Sequence, residues 1–397
     1  MVKPGYKQTE IGVIPEDWED RKLGDVGKVC MCKRIFADQT SDTGEIPFFK
    51  IGTFGKEADA YISRELYEDF KRRFSYPQRG DVLISAAGTL GRSVVFDGKD
   101  SYFQDSNIVW LDIDKEQLCN EYLYHYYKVI KWASSEGSTI ARLYNGIICN
   151  THIAVPIVEE QKQIATVLSE VDELVSLTEK QLTKKKAIKQ GAMQELLTGK
   201  KRLPGFSGEW QHSCLGESAE LSTTTISSKL IDSRYYVGTD NMVADRGGVK
   251  DNELSLTYAN VREYKAGDIL LSNIRPYLKK IWYATRDGGC SNDVLVIRRK
   301  ESEELDSRLL YYILATDEFF DEIMAYAVGT KMPRGDKSVI KSYKICFPKD
   351  ISEQQAIAEI LSNMDSEIEA LEQKLAKYRQ IKQGMMQQLL TGKIRLV

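Results

Sequence analysis

The chain has 397 residues and a mass of 45.1 kDa, enough for two or three domains with buried cores. Apolar residues make up 42% and charged residues 28%, which excludes an intrinsically disordered chain. A net charge of −3 and a pI near 5.9 exclude a passive, basic nucleic-acid coat but leave room for local basic patches on an acidic body. No apolar run approaches the roughly 18 residues of a membrane span, so no membrane role is expected. Seven cysteines without a CxxC pair predict a reducing, cytoplasmic setting. His125, His152 and His212 are too scattered for a zinc site or a histidine-based catalytic site.

In chain order, a first stretch carries Trp18 with Leu23-Gly24, then Ile51-Gly52-Thr53. Strands are predicted over residues 81–85 and 108–113, separated by the turn Ala87-Gly88-Thr89-Leu90-Gly91, with a helix over 121–132. A long helix then starts at Glu160-Gln161 and stops at Thr198-Gly199-Lys200, a glycine just past a lysine-bearing end. The plan then recurs: Trp210 with Leu215-Gly216, Val237-Gly238-Thr239, strands over 268–272 and 293–297, and a helix over 308–325. A second long helix starts at Glu353-Gln354 and stops at Thr391-Gly392-Lys393.

The two long helices lie 193 residues apart in sequence, without a gap, and roughly half their positions are identical. Leu361, Met364, Ile368, Leu371, Leu375, Tyr378, Ile381, Met385 and Leu389 make a coiled-coil seam. In the first copy Thr178 and Lys185 interrupt that seam. Each helix is acidic in its first half and basic in its second. Parallel packing would set acid beside acid, so an antiparallel pair is predicted. The predicted fold class is α+β: two pseudo-symmetric globular domains separated by two long helices in an antiparallel coiled coil. The expected boundaries are 1–158 and 202–351 for the globules, and 159–201 and 352–397 for the helices.

No catalytic, cofactor-binding or metal-binding residues are expected. There is no Pro-Pro dipeptide, no P-loop and no glycine-rich cofactor loop. The triplets Glu160-Gln161-Lys162 and Glu372-Gln373-Lys374 are expected on helix surfaces. Contact with DNA needs cationic, hydrogen-bonding and aromatic side chains on loops. The candidates are Thr89, Arg92, Arg142, Tyr144 and Asn145 in the first globule, and Asn273, Arg275, Lys279, Lys331 and Arg334 in the second. They come from the loop after each Gly-Asp strand and from segments such as 138–145 and 330–334. The run Lys71-Arg72-Arg73-Phe74 is a further basic segment.

These marks together resemble the specificity subunit of type I restriction-modification systems over essentially the full length. They are Ile14-Pro15-Glu16-Asp17-Trp18, the Gly-Asp strands at Gly80 and Gly267, the Glu-Gln-x-x-Ile-Ala starts and the Leu-Leu-Thr-Gly-Lys ends. The resemblance implies a non-catalytic reader of a bipartite, asymmetric site in double-stranded DNA, with one recognition domain per half-site. It implies two methyltransferase subunits docked on the helices, methylating adenine N6 with S-adenosylmethionine, and restriction subunits using ATP and Mg where such subunits exist. No cofactor is then expected in this chain itself. Taken alone, the residues also allow a coiled-coil protein–protein adaptor without DNA recognition, which predicts no sequence-selective footprint.

Overall fold

The protein is described by a computed structural model over residues 2–133, 142–251, 258–301 and 304–396. It divides into two compact units, Met1–Glu179 with Gln373–Val397, and Lys180–Glu372. Both are α+β, and each contains one half of both long helices, Val158–Leu196 and Ile351–Leu389.

In the first unit four antiparallel strands lie in the order Gly27–Met31, Ile108–Ile113, Val82–Ser85, Ser93–Val95. The two central strands carry the apolar runs Ile108-Val109-Trp110-Leu111 and Val82-Leu83-Ile84, because both faces of the sheet are covered there. Val82, Ile84, Val109 and Leu111 face a core with Trp18, Leu23, Tyr122 and Leu168 of the first long helix. Leu83, Ile108 and Trp110 face an aromatic core of Phe48, Phe54, Tyr67, Tyr102 and Phe103. Gly80 sits at φ +94°, and the next residue, Asp81, accepts the Gln78 N–H at 2.7 Å, which turns the chain into the strand.

The second unit builds the same sheet from Ala219–Ser222, Val294–Arg299, Ile269–Ser272 and Ile281–Tyr283, in that order. Its entry turn is also the same, with Gly267 at φ +92° and Asp268 accepting the Lys265 N–H at 2.7 Å. The face toward the helices packs Ile269, Leu271, Leu295 and Ile297 on Phe319, Phe347 and Leu361. The opposite face carries a smaller core of Val237, Met242, Tyr264 and Cys290. Two helix predictions need adjusting. The first ends early (Asn120–Tyr127), and 308–325 is two helices, Ser307–Leu314 and Asp317–Ala325. The break falls at Thr316, extended at ψ 159°, ahead of Asp317 and Glu318, whose charges favour a new helix start.

Within each unit the two long helices run antiparallel, acid against base. In the first unit Asp172 pairs with Lys382 and Glu179 with Arg379. In the second, Lys185 pairs with Glu367 and Lys189 with Asp365. The pairs Glu179–Arg379 and Lys185–Glu367 are exposed and contribute about 0–1 kcal/mol each, while the two Asp–Lys pairs are partly buried; the buried seam outweighs the exposed pairs. Leu168 and Leu361 are fully buried in it. Thr178 is buried too, with its hydroxyl donating to the Leu174 carbonyl at 2.7 Å, so it does not interrupt the seam. Ile188 and Ile381 depart from the predicted seam, 46% and 40% exposed. The following residues, Lys189 and Lys382, turn toward Asp365 and Asp172 instead, as the drift of a 3.6-residue helix against a heptad allows. Beyond the helices, Gly199 and Gly392 take φ +69° and +66°, the left-handed stop.

Of the two triplets expected on helix surfaces, Glu372-Gln373-Lys374 is exposed, but Glu160 and Gln161 are at most 1% exposed, as are their repeat counterparts Glu353 and Gln354. The Arg395 guanidinium holds Glu160 at 2.7 Å, and the Trp18 indole N–H donates to it at 3.0 Å. Arg202 holds Glu353 in the same way at 2.7 Å. Gln161 accepts the Cys119 N–H at 2.9 Å and donates to the Gln117 and Pro156 carbonyls at 2.8 Å. Gln354 accepts from Asp306 and donates to Glu304 and Pro348 likewise. A buried carboxylate persists only when paired and fully hydrogen-bonded, which explains why Glu-Gln starts and Arg-Leu ends occur together.

Candidate nucleic-acid interface

Loops following the two Gly-Asp strands are folded alike. In the first unit the Ser85 N–H donates to the Arg92 carbonyl at 2.9 Å, and in the second the Ser272 N–H donates to the Lys280 carbonyl at 3.0 Å. Each loop then meets the second candidate segment through an isolated antiparallel bridge, Ala87 with Arg142 and Ile274 with Arg334. The sequence placed these segments in corresponding positions, and the fold brings each pair together. Residues 138–141 of the first segment lie outside the described residues.

In the first unit, Thr89, Arg142, Tyr144 and Asn145 are exposed. Tyr144 precedes the short helix Asn145–Cys149. Arg92 is only partly exposed and donates to the Phe54 carbonyl at 3.1 Å, bracing the loop against the aromatic core. Lys71, Arg72 and Arg73 end the helix Arg64–Arg73, where Asp69 takes both arginines and the Tyr67 hydroxyl takes Lys71.

In the second unit, Arg275, Lys331 and Arg334 are exposed, while Asn273 is buried and holds Gly335 through its backbone carbonyl at 3.0 Å. Arg334 is paired with Asp293 at 3.0 Å and Lys279 with Asp317 at 2.6 Å. Hydrogen bonds from Lys279 and Arg246 hold the Asp317 carboxyl below its usual range. Arg275 and Lys279 flank the turn Pro276–Leu278, both left-handed at φ +50°. For a residue with a Cβ that conformation costs roughly 1–2 kcal/mol. Asp245 and Arg246 are left-handed as well, and their N–H groups donate to the Leu278 and Lys279 carbonyls at 2.9 and 3.0 Å. Four of the five non-glycine positive-φ residues among those described converge on this one loop.

Sequence reasoning missed an apolar group beside these cations. Tyr326 and Val328 are 61% and 73% exposed, and Val328 exchanges both backbone hydrogen bonds with Arg334. Gly329, just after them, was the available signal that a helix ends there and a turn presents its side chains. Among the described residues, no cluster of His, Cys, Asp or Glu could hold a metal ion, and no helix is long and apolar enough to cross a membrane.

The arrangement is that of a duplicated α+β protein offering one cationic loop pair per unit. This chain belongs to the family of the type I restriction modification DNA specificity domain, whose model matches residues 15–189 and again 207–380. It is 26% identical over 420 residues to the type I restriction enzyme MjaVIII specificity subunit of Methanocaldococcus jannaschii, covering 96% of this chain and 94% of that one. A 159-residue stretch is 55% identical to a Haemophilus influenzae chain provisionally named a type I restriction enzyme specificity subunit, covering 40% of this chain and 41% of that one. Among solved structures, the type I restriction-modification S subunit of M. genitalium superimposes with a TM-score of 0.65 at 14% identity, over 98% of this chain and 99% of that one.

Proposed function

We propose that this chain reads a bipartite, asymmetric site in double-stranded DNA, one half-site per unit. DNA sequence recognition is the role of its family, and the supporting observation here is the duplicated loop pair. One frame is built twice and carries Thr89, Arg142, Tyr144 and Asn145 in one unit but Arg275, Tyr277, Lys331 and Arg334 in the other. Arginine can donate two hydrogen bonds to guanine O6 and N7, and asparagine pairs with adenine, so different side chains on one frame select different letters. Lysines suit phosphates, which fix register without selecting sequence.

Specificity subunits assemble with other subunits of a restriction-modification system, and this chain's role is recognition rather than catalysis. The finer proposal is that two methyltransferase subunits dock on the paired long helices, which also serve as the spacer between half-sites. Those partners bind S-adenosylmethionine and methylate adenine N6; restriction subunits, where present, bring ATP and Mg. The setting is cytoplasmic.

The test is to co-express the chain with its methyltransferase subunits and select bound duplexes from a randomised library. Two fixed blocks of letters around an unread gap are expected. An assembled complex that enriches no sequence overturns the proposal in favour of an adaptor. Deleting the heptad 180–186 is expected to change the gap or prevent assembly, leaving the letters of both blocks unaltered.

A further inference from the structure

We infer that Arg275 is the base-reading side chain of the second unit's loop, and that the equivalent loop of the first unit has no reader at that position. The inference rests on the DNA-recognition reading above. The second loop is one residue longer; counted forward from Ser85 and Ser272, Gly88 stands where Arg275 does, and counted back from Arg92 and Lys280, Gly91 stands where Lys279 does. All four are left-handed, at φ +67°, +50°, +75° and +50° in that order. Glycine adopts this conformation freely, and the first unit uses it at both places. At Gly91 a Cβ would stand 2.0 Å from Trp132 Nε1, so that position has no room for a side chain.

The second unit keeps two long cationic side chains in the same strained positions. For Lys279 the fold shows the compensation, its ion pair with Asp317. For Arg275 it shows none. Its N–H donates to the Pro333 carbonyl at 2.8 Å and the buried Pro276 follows it, so the backbone is fixed. Its exposed guanidinium makes no hydrogen bond, ion pair or ring contact with any described residue. Arg334 beside it is already paired with Asp293. A guanidinium on a fixed backbone, with no partner among the described residues, suits two-point recognition of a guanine edge, and a strained residue retained without a partner among them points to an external one.

The experiment uses the full chain assembled with methyltransferase subunits and a randomised duplex library. Arg275→Gly is expected to relax one or two letters of one half-site and to leave the other half-site intact. Affinity for the duplex selected by wild type should fall roughly 5- to 150-fold. The thermal midpoint should stay or rise by about 2–4 °C, because strain is relieved. Arg275→Asn, which also tolerates the left-handed turn, should relax the same letters, and Arg275→Lys should fail to restore them. Unchanged letters, or an equal loss of affinity on every duplex, overturn the inference while leaving DNA recognition standing. A wild-type complex that selects no sequence sinks both.

Discussion

Where the first unit sets His125 against Asp172, the second sets Tyr312 against Asp365. Where the first hydrogen-bonds Trp18 to its buried glutamate, the second leaves the Trp210 indole N–H without a partner among the described residues. The Asp–Lys pairs, the Glu–Arg clamps and the four-stranded sheets are common to both. The larger departures lie on the sheet face away from the long helices. There one unit has an aromatic core under a three-stranded sheet and the other a smaller core under a four-stranded one. Duplication has preserved what closes the helix ends and relaxed what carries the loops. That is the division expected if the helices serve a shared partner and the loops serve unlike letters.

The sharpest test of the shared part is the clamp. Arg202→Ala strands Glu353, which is fully buried, and should cost the second unit about 3–5 kcal/mol. Arg395→Ala should cost the first unit less, because Glu160 keeps the Trp18 N–H. Hydrogen exchange resolved by unit reads both losses, and equal losses would break the comparison.

Next comes acid. Burial pushes the His125 imidazole down to about 4 from an ordinary value of 6.5. Neutral His125 is the folded form, so its contribution is fully present above about pH 6.5 and is lost as pH falls toward 4, amounting to about 3 kcal/mol. His125→Gln should flatten that slope in the first unit. Tyr312 is pushed up by burial, so the second unit has no counterpart over that range. Acid unfolding that starts in the second unit would refute the assignment.

Gly91→Ala should destabilise the first unit by about 2–3 kcal/mol, from the left-handed turn and the collision with Trp132. Gly88→Ala, with open space around it, should cost only about 1–2 kcal/mol in chemical denaturation. Smallest of all, Lys185→Ala should cost below about 1 kcal/mol, and less still in high salt, because its pairing with Glu367 is exposed.

Much of the frame was legible because it is local or repeated. Gly80 and Gly267, the strands behind them, both helix stops and the antiparallel charge layout all follow from spacing and residue type. What stayed hidden depends on distant partners. Glu160 reads as helix surface until Arg395, 235 positions away, is brought beside it. Lys279 and Arg334 read like Arg275 until Asp317 and Asp293 are found next to them. Ile188 reads as seam because a strict heptad ignores the drift of a real helix. The gain from the fold is therefore mainly subtractive: it shows which cations are already engaged.

The interleaving of the units has a consequence on the ribosome. The first unit draws on Gln373–Val397, which is translated only after all 193 residues of the second. At about 5–20 residues per second, the nascent amino-terminal globule waits roughly 10–40 s for Arg395, with Glu160 unneutralised and one wall of its interior absent. The carboxyl-terminal unit, contiguous in the message, faces no such delay. Premature termination beyond Glu372, in the second half of the last helix, should therefore injure the part of the protein that was made first.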